Sequence, residues 1–190
     1  MNPPLILASS SPRRRELLAS MRLSFRCEAV DVDEAVTGKP ADIVITLAER
    51  KARQAAQAHP GALVLGADTL VYVGGKVFGK PCDEVDAFRM LSALVGGWHQ
   101  VYTGLCLLDT RNDGIQQDYE VTEVHFQPLT DDEINAYIRT GEPFDKAGAY
   151  GIQGIAGMYI DCVRGNHANV IGLPTANVRR MLLNAGYALL

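Results

Sequence analysis

Long apolar runs, paired metal-ligand motifs and an excess of positive charge are all missing from this 190-residue chain. No stretch is long enough to span a bilayer, and no basic region precedes the short apolar run near the N-terminus, so neither a membrane span nor a signal peptide is expected. The four cysteines (Cys27, Cys82, Cys106, Cys162) are far apart and form no CxxC or Cys/His pattern. That argues against a zinc site and fits free thiols in a reducing, cytoplasmic compartment. With a formal net charge of −4 there is no global basic field to attract nucleic acid. GxxxxGK[ST] is absent and no GxGxxG opens a helix after a strand, so a P-loop and a dinucleotide-binding turn are unsupported. His99 and His167 lack ligand partners at useful spacing, and Ser9 to Ser11 have no His/Asp relay, which leaves a serine hydrolase without its machinery.

What is present begins at Arg13-Arg14-Arg15, where a strand gives way to a helix. The chain reads Leu5-Ile6-Leu7-Ala8, then Ser9-Ser10-Ser11-Pro12, then the arginines and Glu16-Leu17-Leu18. Serine followed by proline is a helix-start signal, because proline's fixed φ suits a position that needs no amide donor. The first helical turn is the positive end of the helix dipole, and each misplaced cation there costs about 0.3–1 kcal/mol. An anionic ligand compensates that cost, and free amides beside arginines are suited to phosphate or carboxylate. Arg14 lies three and four residues before Leu17 and Leu18, on the face of the apolar stripe completed by Met21. It is expected to point inward; Arg13 falls at the stripe's margin and Arg15 toward solvent. The alternative is a solvated charge run whose stems cover apolar surface.

Elements alternate in type along the rest of the chain, with no repeat or low-complexity segment. Phe25 to Val30 reads as a strand, followed by the acidic loop Asp31-Val32-Asp33-Glu34 and a helix from about Ala41 to His59. The apolar run from Ala62 to Val73, the Gly74-Gly75 turn and Lys76-Val77-Phe78 form a hairpin pattern. Asp83 caps a helix that Gly96-Gly97 ends. Val101 to Leu108 and a return strand through about Gln127 flank an Asn112-Asp113-Gly114 turn, and Thr130-Asp131-Asp132-Glu133 is a capping box. A glycine-rich stretch, Gly148 to Gly157, precedes a strand near Met158 to Val163, a Gly165-Asn166 turn and a last helix from Thr175 to Asn184. Helices mixed with hairpin-linked strands predict an α/β protein with a mixed sheet. No linker divides it, so one domain spanning residues 1–190, with a cleft, is expected.

Asp68 stands within the apolar strand, where an ionised carboxylate is costly unless paired or metal-bound. Gly66 before it allows a bend or close approach to a ligand. A structural aspartate bonded to backbone amides is the alternative. Val44, Leu47, Ala48, Lys51 and Ala55 fall at helical spacing, which puts Lys51 on a core-facing stripe unless it snorkels outward. Lys80, held extended by Pro81, follows the hairpin that carries Asp68. Glu34 supplies a second carboxylate, although a solvated acidic loop is the commoner meaning of such a segment. Two oxygen ligands from separate segments suit Mg²⁺ or Mn²⁺, which keep waters and bind substrate phosphates alongside. Cations, carboxylates and a helix N-terminus together suit a metal-bound polyphosphate.

The segments Leu7 to Arg14, Gly66-Ala67-Asp68-Thr69, Gly79-Lys80-Pro81, His99 to Gly104 and Glu142 to Gly154 resemble, in order and over nearly the whole chain, the Maf family of nucleoside triphosphate pyrophosphatases. The resemblance implies an elongated, two-lobed α/β fold of the inosine-triphosphate-pyrophosphatase type with the active site in a central cleft. It implies hydrolysis of a nucleoside triphosphate to the monophosphate and pyrophosphate with a divalent metal, in the cytoplasm, by a homodimer. By position, Asp68 matches the family's proton acceptor; Arg13, Arg14, Lys51 and Lys80 its phosphate-facing cations, with Ser9 among the substrate-binding residues; Glu34 and Asp68 its metal carboxylates. Arg13, Thr69 and Gln153 resemble the branch acting on dTTP and UTP. The 7-methyl-GTP branch carries an aromatic residue at the position of Arg13 and an acidic one at that of Gln153. The chemistry agrees, since an amide offers the donor and acceptor that a uracil or thymine edge requires, whereas a carboxylate only accepts.

Two other readings compete. A nucleotide-binding regulator of septum formation or cell division would bind without turnover, but binding alone leaves Asp68 without a task. An RNA-binding module built on Arg13 to Arg15 lacks a basic stripe with interleaved aromatics.

Overall fold

In the computed structural model, which describes residues 2–189, seven strands form a mixed sheet flanked by six α-helices. The elements are β1 (Leu5–Ala8), α1 (Pro12–Ser20), β2 (Arg26–Glu28), α2 (Pro40–Ala56), β3 (Leu63–Val73), β4 (Lys76–Phe78) and α3 (Glu84–Leu94), then β5 (Trp98–Asp109), β6 (Gly114–Phe126), α4 (Asp131–Ile138), β7 (Ile160–Arg164), α5 (His167–Ile171) and α6 (Thr175–Asn184). The sheet order is β2-β1-β3-β5-β6-β7, with β4 paired to β3. β1 runs parallel to β2 and β3, and β3–β4 and β6–β7 are antiparallel, so the expected mixed α/β architecture is present. No helix among the described residues is long and apolar enough to cross a membrane.

The chain divides into two compact units. Of the described residues, one comprises 2–68, 103–120 and 172–189; the other comprises 69–102 and 121–171. In the first, β1 is buried at every position, as parallel strands covered on both faces are. Alternation along the strands sorts their side chains. Leu5, Leu7, Leu63, Leu65, Ala67, Leu105 and Leu107 pack with Leu18 of α1 and with Val178, Met181 and Leu182 of α6. Ile6, Ala8, Val64, Cys106 and Leu108 face α2 through Ala48, Ala52 and Ala55. The small residues matter because α2 lies very close to the sheet. A Cβ on Gly66 would run into the Ala48 carbonyl and come within 2.9 Å of the Ala52 nitrogen. One on Gly104 would collide with the Val44 carbonyl group and reach 2.6 Å from the Ile45 nitrogen. The close approach expected at Gly66 is therefore made by a helix of the same unit.

In the second unit, Ala87, Met90, Leu91 and Leu94 of α3 and Ile134, Tyr137 and Ile138 of α4 share a core with Val71, Phe78, Val101, Val124, Phe126, Ala149, Tyr150 and Ala156. His99 is buried there, its Nε2 2.7 Å from the Tyr150 hydroxyl, and its Nδ1 has no hydrogen-bond partner among the described residues. Burial, reinforced by the charge of His125, lowers its pKa from 6.5 to about 3.

Element boundaries depart from the sequence expectation in a few places. β2 covers only Arg26–Glu28, α2 starts at Pro40 and ends at Ala56, and β5 starts three residues early, at Trp98. The glycine-rich stretch holds short 3₁₀ turns at Ala147–Ala149 and Ile155–Tyr159, and α5 was not anticipated.

Two outcomes follow from this packing. Gly66→Ala forces α2 off the sheet, and overpacking of this kind costs about 1–3 kcal/mol or more; a urea midpoint equal to that of the wild type would show that α2 yields freely. His99 makes stability pH-dependent. The unfolded chain takes up its proton near pH 6.5 while the fold resists until about 3. Stability therefore falls as pH drops through that window, at up to about 1.4 kcal/mol per pH unit. Urea titrations from pH 7 to 4 should give a shallower acid loss in His99→Gln, and parallel curves would assign the loss to other groups.

Candidate active site

The N-terminus of α1 is built as expected. Ser11 has extended backbone and caps the helix, its Oγ accepting from the Arg14 amide at 3.4 Å. Ser9 is buried, and its Oγ accepts from the Ser11 amide at 3.2 Å and from an Arg14 guanidinium nitrogen (Nη1) at 3.4 Å. Arg14 is half-buried, and its Nε donates to the Gly172 carbonyl at 2.9 Å. That contact spends one edge of the guanidinium on holding its position. Burial lowers the Arg14 pKa, Asp68 and then Glu34 oppose the shift, and Arg13 adds to it. Arginine nevertheless stays charged. The helix start and both carboxylates thus share one electrostatic neighbourhood. Arg13 is half-buried and Arg15 is exposed, as their places on the helix imply.

Asp68 reaches this neighbourhood by simple alternation. Val64, Gly66 and Asp68 occupy every second position of β3, so all three face α2. On α2, Lys51 lies three residues after Ala48 and four before Ala55, on the face that meets the sheet. The Lys51 Nζ donates to Asp68 Oδ1 at 2.6 Å and to Glu34 Oε1 at 3.0 Å. The two contacts differ in kind. The Lys51 and Asp68 side chains are 12% and 13% exposed, whereas that of Glu34 is 66% exposed. The first pair is shielded from water and the second is screened, so Glu34 is the partner that is easily exchanged. Neighbouring Arg50 donates to the Asp33 carbonyl at 2.5 Å and so ties the acidic loop to the same helix.

One ammonium thus holds two carboxylates from separate segments, the placement that a divalent cation with two oxygen ligands needs. Among the described residues no group of three or more His, Cys, Asp or Glu side chains could hold a metal. A cation at Asp68 and Glu34 would therefore complete its shell with water and substrate oxygens, as Mg²⁺ commonly does. The donor set fits such an ion.

The remaining sequence candidates belong to the second unit. Thr69 directly follows Asp68 and is half-buried; Lys80 is exposed beyond β4, next to Gly79, whose carbonyl accepts from the Gly148 amide at 2.9 Å. Gln153 is exposed on a turn closed by a hydrogen bond from the Gly154 amide to the Gly151 carbonyl at 3.0 Å. Sequence reasoning gave no role to Glu142, whose carboxylate binds the backbone just after this turn. A signal was present: a glycine-dense stretch carries amides that need acceptors, and a glutamate precedes it. Buried Cys106, its thiol pushed up to about 12 mainly by desolvation, is chemically inert.

A family described as Maf-like protein matches residues 4–185. A dTTP/UTP pyrophosphatase of Anaeromyxobacter dehalogenans (strain 2CP-1 / ATCC BAA-258) is 49% identical over 193 residues, covering 100% of this chain and 97% of that protein. One from Symbiobacterium thermophilum is 49% identical over 185 residues, covering 96% and 94%. One from Thermococcus gammatolerans is 46% identical over 170 residues, covering 90% of each. Among solved structures, the Staphylococcus aureus Ham1 protein is similar over 65% of this chain and 71% of its own, at 14% identity and a TM-score of 0.48. The extent of the family match and the identity to these relatives establish that this chain belongs to the Maf family.

Proposed function

We propose that this protein hydrolyses dTTP and UTP to the nucleoside monophosphate and pyrophosphate. The observation that carries the reading is a shielded carboxylate, Asp68, held 2.6 Å from Lys51 in a chain 49% identical to a dTTP/UTP pyrophosphatase. Asp68 takes the proton of the attacking water. The water oxygen bonds to the α-phosphorus, the α–β anhydride bond breaks, and pyrophosphate departs with the bridging oxygen. Arg13, Arg14, Lys51 and Lys80 spread positive charge over the phosphates, and Ser9 supports Arg14 as it does so. Glu34 and Asp68 would hold the divalent cation, Mg²⁺ or Mn²⁺, which when bound would neutralise the phosphates and the leaving group. Arg13, Thr69 and Gln153 choose the base, the Gln153 amide pairing with the donor and acceptor of a pyrimidine edge.

The chain works as one Maf-like domain, a reading supported by the unbroken family match over residues 4–185. A homodimer and a cytoplasmic location complete the proposal. Exposed free Cys27 and Cys82 support the location, because such thiols persist in reducing surroundings.

The test is pyrophosphate release from UTP, dTTP and purine triphosphates, with and without Mg²⁺ or Mn²⁺. Asp68→Asn should lower turnover by at least about 10²-fold. It should still fold, at reduced stability: the amide oxygen can accept from Lys51 and Lys51 keeps Glu34, but the buried ammonium loses its shielded counter-charge. Retained turnover in a folded variant would reduce Asp68 to a structural carboxylate. The arginines should divide by face. Arg14→Ala removes a charge-assisted contact worth about 1.5–3 kcal/mol, or about ten- to a hundredfold in kcat/KM, whereas Arg15→Ala should be nearly silent. Equal losses would contradict the placement of α1.

A further inference from the structure

Glu142 spends its carboxylate inside the second unit. Oε2 accepts from the Ile155 amide at 2.9 Å, while Oε1 accepts from the Tyr137 hydroxyl at 3.0 Å and the Ala156 amide at 3.4 Å. These amides open the 3₁₀ turn Ile155–Tyr159, where backbone donors have no partner within the turn itself, and an ionised acceptor makes the stronger bond. Tyr137 is buried, and its phenol is held neutral, chiefly by burial and then by the Glu142 carboxylate, so it remains a donor.

Immediately before these amides comes the four-residue turn Gly151-Ile152-Gln153-Gly154, closed by the 3.0 Å bond from the Gly154 amide to the Gly151 carbonyl. Both of its ends lie against the same group of residues. A Cβ on Gly154 would collide with the Glu142 carboxylate, and one on Gly151 would lie 2.6 Å from Lys146 Cε. Lys146 in turn donates to the Glu142 carbonyl at 2.7 Å and to Asp145 Oδ1 at 2.6 Å. A side chain at either glycine would have to push aside the end of Lys146 or of Glu142.

We infer that Glu142 is a positioning residue for base selection, fixing the turn that presents Gln153. The inference rests on the reading that Gln153 recognises the base. A hydrogen-bonding side chain discriminates between bases only if its backbone is held still, since a freely swinging amide meets either edge at similar cost. Glu142 supplies that fixity from outside the turn, leaving the Gln153 side chain exposed and available. Hydrolysis itself does not require the turn to be held, so a loosened turn should change which base is preferred and how tightly it binds, with little change in turnover.

The experiment compares kcat and KM for UTP and GTP in the full-length protein and three variants, Glu142→Gln, Gly154→Ala and Gln153→Glu. Glu142→Gln keeps one acceptor oxygen and places an NH₂ against a donor; Gly154→Ala pushes a methyl into the same contact from the other side. Both should lower the UTP-to-GTP ratio of kcat/KM by about five- to tenfold, mainly through KM for UTP, with kcat within about twofold. Amide hydrogen exchange at Ile155 and Ala156 should speed up while the melting temperature holds. If Gln153→Glu lowers the ratio but the other two variants leave it unchanged, or depress both substrates equally, Glu142 only supports the fold and the inference is overturned. Failure of both variants to fold overturns it in the same way. If Gln153→Glu itself leaves the ratio unchanged, the base-reading role of Gln153 falls, and the positioning role falls with it.

Discussion

The close seating of α2 on β3 and β5 is the constraint on which the contact between Asp68 and Lys51 depends. Gly66 and Gly104 lie where any side chain would strike the helix backbone, and Ala48, Ala52 and Ala55 keep the opposing face shallow. A lysine stem is long, but its ammonium reaches a strand carboxylate at 2.6 Å only if helix and strand stay this close. The same strand face that carries Val64 and Gly66 into the core delivers Asp68 at its end. Packing and chemistry are therefore one geometric fact. A bulkier core at Gly66 would cost stability and would also withdraw Lys51 from its partner.

Burying Asp68 is tolerable because its partner is buried with it. An isolated ionised carboxylate in such a place costs several kcal/mol, and losing one member of a buried pair typically costs about 3–5 kcal/mol. Lys51 offsets that cost and is shared with Glu34, whose side chain remains in solvent. The sharing gives the pair an asymmetric character: one contact is shielded and persistent, the other screened and readily replaced by a competing cation or anion. Arg14 shows the same economy. Its Nε is fixed by the Gly172 carbonyl, and its charge is felt by Asp68 and Glu34. Positive groups whose stems are already immobilised lose little further freedom when a polyanion arrives.

Signals confined to a few neighbouring residues were legible in the sequence. The Ser11-Pro12 start, the Asp83 cap, the Thr130 capping box and the span Thr175–Asn184 are found where local chemistry put them. Asp68 and Lys51 were each visible as a charge in an apolar pattern, and the resemblance to a family joined them before the geometry did. Their direct contact was not legible, because it depends on which strand face meets which helix face across seventeen residues of sequence. The early start of β5 at Trp98 and the shortness of β2 are decided by pairing with neighbouring strands, which a single segment does not encode. The sequence allows a bend or the close approach of a ligand at Gly66, and the structure uses the room for a helix, since these demands leave the same mark on the sequence.

Glu142, although part of a segment that resembles the family, has no role legible in the sequence for a related reason. It has no periodic place, it sits before a proline in a 3₁₀ turn, and its value lies in donors thirteen and fourteen residues away. The contrast with Asp68 is instructive. Asp68 takes its rigidity from a central strand, and regular elements hold a group in place through many redundant contacts. Gln153 sits on a turn, where the backbone has few bonds of its own, so an outside carboxylate must supply what a strand would have given. A group on a strand is hard to reposition without disturbing the core. One on a turn steadied by a few side chains can be re-aimed by a few substitutions around Glu142, Gly151 and Gly154. If the turn chooses the base and the strand performs the chemistry, substrate preference can change within this architecture while the contact between Asp68 and Lys51 stays intact.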